Sequence, residues 1–226
     1  MRVSVVIPAL NEEAAIAGVV AEVPRELVQE IIVVDNGSTD RTAALASAAG
    51  ARVVREPVRG YGAACLAGAL AAADADVIVF LDGDRNEDPR ELSVVLAPLL
   101  AGQADLVIGS RTRGGAQPGA LTPQQRVGNR VVTLLLRVLY GLALTDIGPF
   151  RAIRAHVLRD LAMEHKTYGW PVEMVVKAVR RGYRVVEVPV TCRTRLGRSK
   201  VGGTLKGSAL AGYHLLFTTL KYAWRR

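Results

Sequence analysis

Over its first 110 residues the chain alternates short Val- and Ile-rich runs with longer Ala-rich stretches, and this alternation restricts the fold more than any other feature. The strand-like runs are Val3–Pro8, Glu30–Asp35, Arg52–Arg55, Val77–Asp82 and Leu106–Gly109, with a further one at Val185–Val190. Most are apolar almost throughout, as expected of strands covered on both faces. Helical patterns lie between them at Glu12–Val23, Thr39–Ala49, Gly62–Ala73 and Pro89–Ala101. Ser38 or Thr39 suits an N-cap, Gly50 a C-terminal stop, and Pro89 a first-turn position. The alternation predicts an α/β fold: a mostly parallel central sheet with helices on both faces.

At 226 residues the chain is read as one domain with two halves, 1–110 and 111–226. The second half is less regular. It has a Gly/Pro/Gln-rich loop at Thr112–Pro123, a helix at Gln124–Tyr140, and a loop with a short strand at Thr145–Ile153. A helix at Pro171–Arg181, a basic loop at Arg193–Gly203 and a C-terminal helix at Thr204–Trp224 complete it. Half of the residues are hydrophobic but only 5% are aromatic, so Ala, Val and Leu must fill the core.

Ligands of open parallel sheets bind beyond the C-terminal strand ends. Three such ends carry polar clusters: Pro8-Ala9-Leu10-Asn11-Glu12-Glu13, Asp35-Asn36-Gly37-Ser38-Thr39-Asp40 and Asp82-Gly83-Asp84-Arg85-Asn86. Each is compatible with turn chemistry and helix capping. Together they supply what a nucleotide site needs. Asp82 and Asp84, two apart, point the same way, and Gly83 leaves room between them. Such a pair repels itself unless a cation such as Mg²⁺ intervenes, and Asn86 offers a further oxygen. Asp35 suits a base or ribose, and Arg59-Gly60-Tyr61-Gly62 brings a cation to the same edge.

The net charge is +8, which suits polyanions, anionic membranes or phosphorylated substrates, or a merely basic surface. Carboxylates at three strand ends would repel a nucleic-acid backbone, so no nucleic-acid partner is expected. The apolar segments 131–144 and 207–220 are too short to span a bilayer and read as core helices or membrane-surface helices. Cys65 and Cys192 form no motif and fit reduced thiols. The chain starts directly on a strand, with no signal peptide expected, and a cytoplasmic location, peripheral to the membrane or not, follows. His156, His165 and His214 lack metal-ligand spacing, and Trp170 either stacks on a sugar or packs in the core. The oligomeric state stays open, a homo-oligomer included.

The set Val-Ile-Pro-Ala-Leu-Asn-Glu-Glu (6–13), Val-Val-Asp-Asn-Gly-Ser-Thr-Asp (33–40), Asp-Gly-Asp (82–84), Gly-Ser-Arg (109–111) and Gly-Pro-Phe-Arg-Ala (148–152) resembles inverting family 2 glycosyltransferases. Within them it is most similar to the polyprenyl-phosphate (dolichol-phosphate) mannosyl and glucosyl synthases. The resemblance implies a GT-A fold, a nucleoside-diphosphate sugar donor (UDP- or GDP-hexose) and Mg²⁺ or Mn²⁺. By position, Pro8, Asn11 and Glu12 line the nucleotide pocket, Asp35 contacts the base, and Arg59 and Gly83 lie beside them. Asp82, Asp84 and Asn86 hold the metal and diphosphate. Family members commonly have Gln at position 86, often a second Asp at position 36, and Ser-Gly-Phe where this chain has Gly148-Pro149-Phe150. The loop 193–200 resembles the family's Gly-x-Ser-Lys segment, so Arg195, Arg198, Ser199 and Lys200 are expected to close over the diphosphate with Gly197 as hinge; otherwise it is a solvated basic loop.

A lipid phosphate acceptor is already anionic near neutral pH and needs positioning cations. Arg111, Arg126 and Arg151 are the candidates, since guanidinium matches phosphate bidentately. An alcohol acceptor needs a base, for which Asp146 and then Glu173 are candidates, each also readable as structural. Transfer to a polyprenyl phosphate is the leading reading. Transfer to a soluble hydroxyl acceptor and silent nucleotide-sugar binding are the alternatives.

Overall fold

In a computed structural model, which describes residues 1–197 and 215–223, the strand-like runs assemble into one seven-stranded sheet. The strands are β1 (Val3–Ala9), β2 (Glu30–Asp35), β3 (Arg52–Arg55), β4 (Val77–Phe80), β5 (Leu106–Ser110), β6 (Arg151–Arg154) and β7 (Val185–Pro189), in the order β3-β2-β1-β4-β6-β5-β7. All neighbouring pairs are parallel except those of β6, which runs antiparallel to both β4 and β5. β6 thereby joins the two halves of the chain: Ile78 pairs with Ile153, and Leu106 pairs with the same residue from the other side.

Alternation along β1 shows how two cores arise. Val6 faces one side of the sheet, with Ile32, Val34, Ile78 and Phe80. Val5 and Ile7 face the other, with Ile31, Val33, Val77 and Val79. The first face is covered by α3 (Tyr61–Ala71), α6 (Pro123–Tyr140), α7 (Ala155–Leu161) and α8 (Trp170–Arg180). The second is covered by α1 (Ile16–Glu22), α2 (Thr42–Ala48) and α4 (Leu92–Leu100). One turn of helix, α5 (Arg111–Gly114), falls at the start of the expected loop, and α7 lies in a stretch to which the sequence assigns no element. α2 starts later than the sequence suggests, without a side-chain cap. Trp170 is buried edge-to-face on Phe80, with ring centroids 6.2 Å apart, so it packs in the core and does not stack on a sugar. Both cysteines are free and buried.

α6 is the long helix of the second half. Thr122 and Gln125 close a capping box at its start, and Gly141 ends it in the left-handed region at φ +67°. Val132, Thr133 and Leu136 turn into the core. Val127, Val131, Leu134 and Val138 form a second apolar row on the solvent side, 42–70% exposed. Arg126, Arg130 and Arg137 are exposed on the same helix. Among the described residues no helix is long and apolar enough to cross a membrane.

Candidate active site

β2, β1 and β4 are parallel neighbours, so their C-terminal ends deliver the three polar clusters to one edge. The first two clusters knit to each other. Asn11, at φ +52°, accepts from the Thr39 N–H at 2.8 Å, and its own N–H donates to Ser38 Oγ at 3.0 Å. The Glu12 N–H donates to Thr42 Oγ1 at 2.8 Å, and Asp35 Oδ1 accepts from the Ser38 N–H at 2.9 Å. Asn36 ties down the next loop: it donates to the Glu56 and Val58 carbonyls and accepts from the Gly60 N–H. Arg59 is exposed and donates to the Gly37 carbonyl. Gly60 and Gly62 press on the backbone of another segment. A Cβ at either would fall 2.1 Å from a carbonyl oxygen of Lys166 or His165, which makes them packing glycines and not a flexible phosphate cradle.

Beyond β4 the chain turns through Asp82, Asp84 and Glu87, whose carboxylate oxygens lie within 4.8 Å of one another. Glu87 is the acid the sequence reading missed. Its burial could not be read from a polar Arg-Asn-Glu-Asp run. The Tyr61 hydroxyl favours the charged form of Asp82, whose Oδ1 is buried without a hydrogen-bond partner among the described residues. Burial, and then the adjacent Asp84 charge, push Asp82 up to about 7. The same causes, burial first and then Asp82 and Asp84, raise Glu87. Hard oxygen donors packed this closely, two of them with orphaned atoms, suit a divalent cation such as Mg²⁺ or Mn²⁺.

Two sequence assignments change here. A Cβ on Gly83 would point toward the protein, in ordinary contact 3.4–3.5 Å from Ile16, Ile7 and the Pro8 carbonyl, and not between the two carboxylates. The Asn86 amide is engaged elsewhere. Its Nδ2 donates to the Arg193 carbonyl at 2.6 Å, and its Oδ1 accepts from the Cys192 thiol at 3.6 Å.

Segment 191–196 runs along this acidic loop. The Arg193 N–H donates to the Asn86 carbonyl and the Leu196 N–H to the Asp84 carbonyl. Arg193 pairs with Glu22 and Asp88. Arg195 stands over the cluster, 3.3 Å from Asp84 and 3.5 Å from Glu12. Arg198, Ser199 and Lys200 lie outside the described residues, as does the start of the expected C-terminal helix; residues 215–223 are helical.

On the other side of the cluster a cavity of about 510 Å³ opens. Asp82, Tyr61, Arg111 and Asp146 line its polar end, Leu121, Ile147, Pro149 and Leu215 its apolar wall, and Arg126 and Arg130 of α6 belong to its lining. Arg111 reaches it from the end of β5, held by Asp146 through Nε at 2.8 Å and Nη2 at 2.9 Å. Asp146 also accepts from the Arg111 and Ile147 N–H groups. Burial opposes its charge, but Arg111 and these bonds outweigh it and hold the carboxyl below the usual range. All four bonds are made within the protein, so Asp146 is a weak base that orients Arg111; its assignment as a catalytic base is corrected.

The other two catalytic assignments fail for related reasons. Arg151 is 1% exposed and donates to the Pro171 and Gly148 carbonyls, so a core guanidinium, and not a phosphate ligand, occupies β6. Glu173 is fully buried on α8. It accepts from the N–H groups of Glu164 and His165 at 2.9 and 2.8 Å and from the Tyr222 hydroxyl at 2.7 Å, and pairs with Lys177. It fastens the 164–165 turn and the 215–223 helix to α8.

A family model described as glycosyl transferase family 2 matches residues 4–162, which contain all three strand-end clusters and Asp146. The chain belongs to glycosyl transferase family 2. Its sheet is that of a GT-A glycosyltransferase. The chain is 41% identical over 212 residues to an uncharacterized glycosyltransferase of Mycobacterium tuberculosis, covering 92% of this chain and 94% of that one. It is 35% identical over 225 residues to the undecaprenyl-phosphate mannosyltransferase of Micrococcus luteus, covering 93% and 91%. Among solved structures, it is similar to glucosyl-3-phosphoglycerate synthase of M. tuberculosis in complex with Mn²⁺, UDP-glucose and phosphoglyceric acid, with a TM-score of 0.80 and 28% identity over 98% of this chain and 79% of that one.

Proposed function

We propose that this glycosyltransferase moves a hexose, with inversion, from a UDP- or GDP-sugar onto a polyprenyl phosphate at an anionic membrane surface. The observation that carries the acceptor is the cavity itself: a guanidinium at its polar end, apolar walls, and α6 along its side. The exposed row Val127, Val131, Leu134 and Val138 offers apolar surface to a bilayer, and the nearby arginines offer charge to its head groups. No acidic residue occurs from Arg111 to Thr145. An all-basic face disfavours pairing with a second copy and favours an anionic surface.

On this reading Pro8, Asn11, Glu12, Asp35 and Arg59 flank the nucleotide, Asp82 and Asp84 hold Mg²⁺ or Mn²⁺, and Arg195 faces the diphosphate. When bound, the metal neutralises charge on the leaving diphosphate. Arg111, held in its orientation by Asp146, receives the acceptor phosphate, with Arg126 at the cavity. A phosphate oxygen attacks the anomeric carbon as the bond to the donor diphosphate breaks. With its second pKa about 6, that phosphate needs no general base, which agrees with the saturated Asp146.

A second reading is favoured by the likeness to glucosyl-3-phosphoglycerate synthase: a soluble phosphorylated acceptor meeting the same Arg111. The test is a donor-by-acceptor screen with Mn²⁺, reading released nucleoside diphosphate. UDP-glucose and GDP-mannose are each offered with undecaprenyl phosphate in anionic vesicles or with 3-phosphoglycerate. Turnover with the lipid, lost in Leu134→Glu at moderate salt and restored in detergent, is the expected result. Turnover with 3-phosphoglycerate alone would refute the lipid reading.

A further inference from the structure

We propose that Glu87 supplies the third carboxylate to the divalent cation, in place of Asn86; this rests on the reading of Asp82 and Asp84 as metal-holding residues. Glu87 has a fully buried side chain, and neither carboxylate oxygen has a hydrogen-bond partner among the described residues. The nearest cation, Arg111 Nη1 at 3.9 Å, belongs to a guanidinium already committed to Asp146. A carboxylate taken from water with no donor in exchange is a costly arrangement unless a cation completes it. Its oxygen lies within 4.8 Å of those of both Asp82 and Asp84, a separation that ligands of one ion can close with small side-chain rotations.

The backbone explains why Glu87 and not Asn86 turns inward. Glu87 bridges to Cys192 in an antiparallel pairing, and the Asn86 amide is spent on Arg193 and Cys192 on either side of it. Using Asn86 Oδ1 as a ligand would set the metal against the Cys192 thiol and against the side-chain orientation that the Arg193 carbonyl fixes. Using Glu87 breaks no hydrogen bond, because its oxygens make none among the described residues.

The consequence is an order of binding. Mg²⁺ held by one or two carboxylates usually relies on substrate phosphates to complete its shell. Three carboxylates give the protein a site that takes Mn²⁺ before the nucleotide arrives. The experiment is a Mn²⁺ titration of the full chain without nucleotide, followed by electron paramagnetic resonance of free Mn²⁺. Wild type is expected to bind, Glu87→Gln to lose at least tenfold in affinity, and Glu87→Asp to lose less because it keeps the charge. A thermal melt in chelator should show Glu87→Gln no less stable than wild type. If Glu87→Gln is not recovered folded, the comparison of Glu87→Asp with wild type decides, and equal affinities refute the proposal. Wild-type affinity in Glu87→Gln with loss in Asp84→Asn refutes the role of Glu87 alone. Unchanged affinity in both refutes the metal reading beneath it.

Discussion

Replacing Asp146 by Asn separates a positioning carboxylate from a catalytic one. The substitution is nearly isosteric but removes the charge that faces the Arg111 guanidinium across 2.8 and 2.9 Å. It also puts an amide where the Arg111 and Ile147 N–H groups now find carboxylate oxygens. Breaking a buried pair by removing one partner costs about 3–5 kcal/mol. At about 2–4 °C per kcal/mol for a chain of this size, the melting temperature should fall by roughly 6–20 °C. The sign of the pH dependence follows from the depressed carboxyl. Its stabilisation is present above the unfolded value, near about 4, and fades as pH falls through the folded one. The gap between wild type and variant should therefore be full at pH 7 and shrink in acid. Differential scanning fluorimetry from pH 3 to 8, with nucleoside-diphosphate release measured on the folded fraction, reads both effects. KM for the acceptor should rise more than kcat falls, since Arg111 is still present but loosely held. A variant melting within about 2 °C of wild type at pH 7 while losing turnover would refute the reasoning and restore Asp146 as a base.

Three further outcomes are expected. Glu173→Gln should destabilise by about 3 kcal/mol, because an amide cannot satisfy three donors and Lys177 together, while folded enzyme keeps its kcat; loss of kcat at unchanged melting temperature would contradict the anchoring role. Without metal, Asp82 binds its proton more tightly folded than unfolded, so its contribution is fully present below about pH 4 and lost as pH rises through about 7. Chelated wild type should lose melting temperature over that window relative to Asp82→Asn, and saturating Mn²⁺ should abolish the difference; a flat difference curve would refute it. Sedimentation with anionic vesicles should fall with added salt and fall further in Leu134→Glu, whereas salt-independent binding would remove the basic face from the account.

The regular half of the fold was legible because its strands are buried on both faces, which writes burial directly into runs such as Ile31–Val34 and Val77–Phe80. β6 was harder to read. Arg-Ala-Ile-Arg carries charge at both ends, and contacts from distant segments, the Pro171 and Gly148 carbonyls among them, make a buried Arg151 tolerable. The same limit governed the site. Asp82 and Asp84 share a short segment that sequence can see. The difference between Glu87 and Glu173 lies in donors brought from other segments: His165 and Tyr222 hydrogen-bond Glu173, while among the described residues Glu87 has no hydrogen-bond donor and only Arg111 at 3.9 Å. Asp146 was visible as a candidate, but its task depends on Arg111, 35 positions earlier.

The antiparallel insertion of β6 also sets a timetable for synthesis. Until residue 154 has left the ribosome, β4 and β5 have no strand between them, and Val77–Phe80 is a bare apolar edge. A nascent chain holding only the first four βα units therefore carries its acidic loop on an edge strand paired with β1 alone, open to mispairing with a neighbouring chain. Fragments ending near residue 110 should aggregate for that reason, and the geometry of the acidic loop beyond Phe80 is a product of late pairing although its residues are made early.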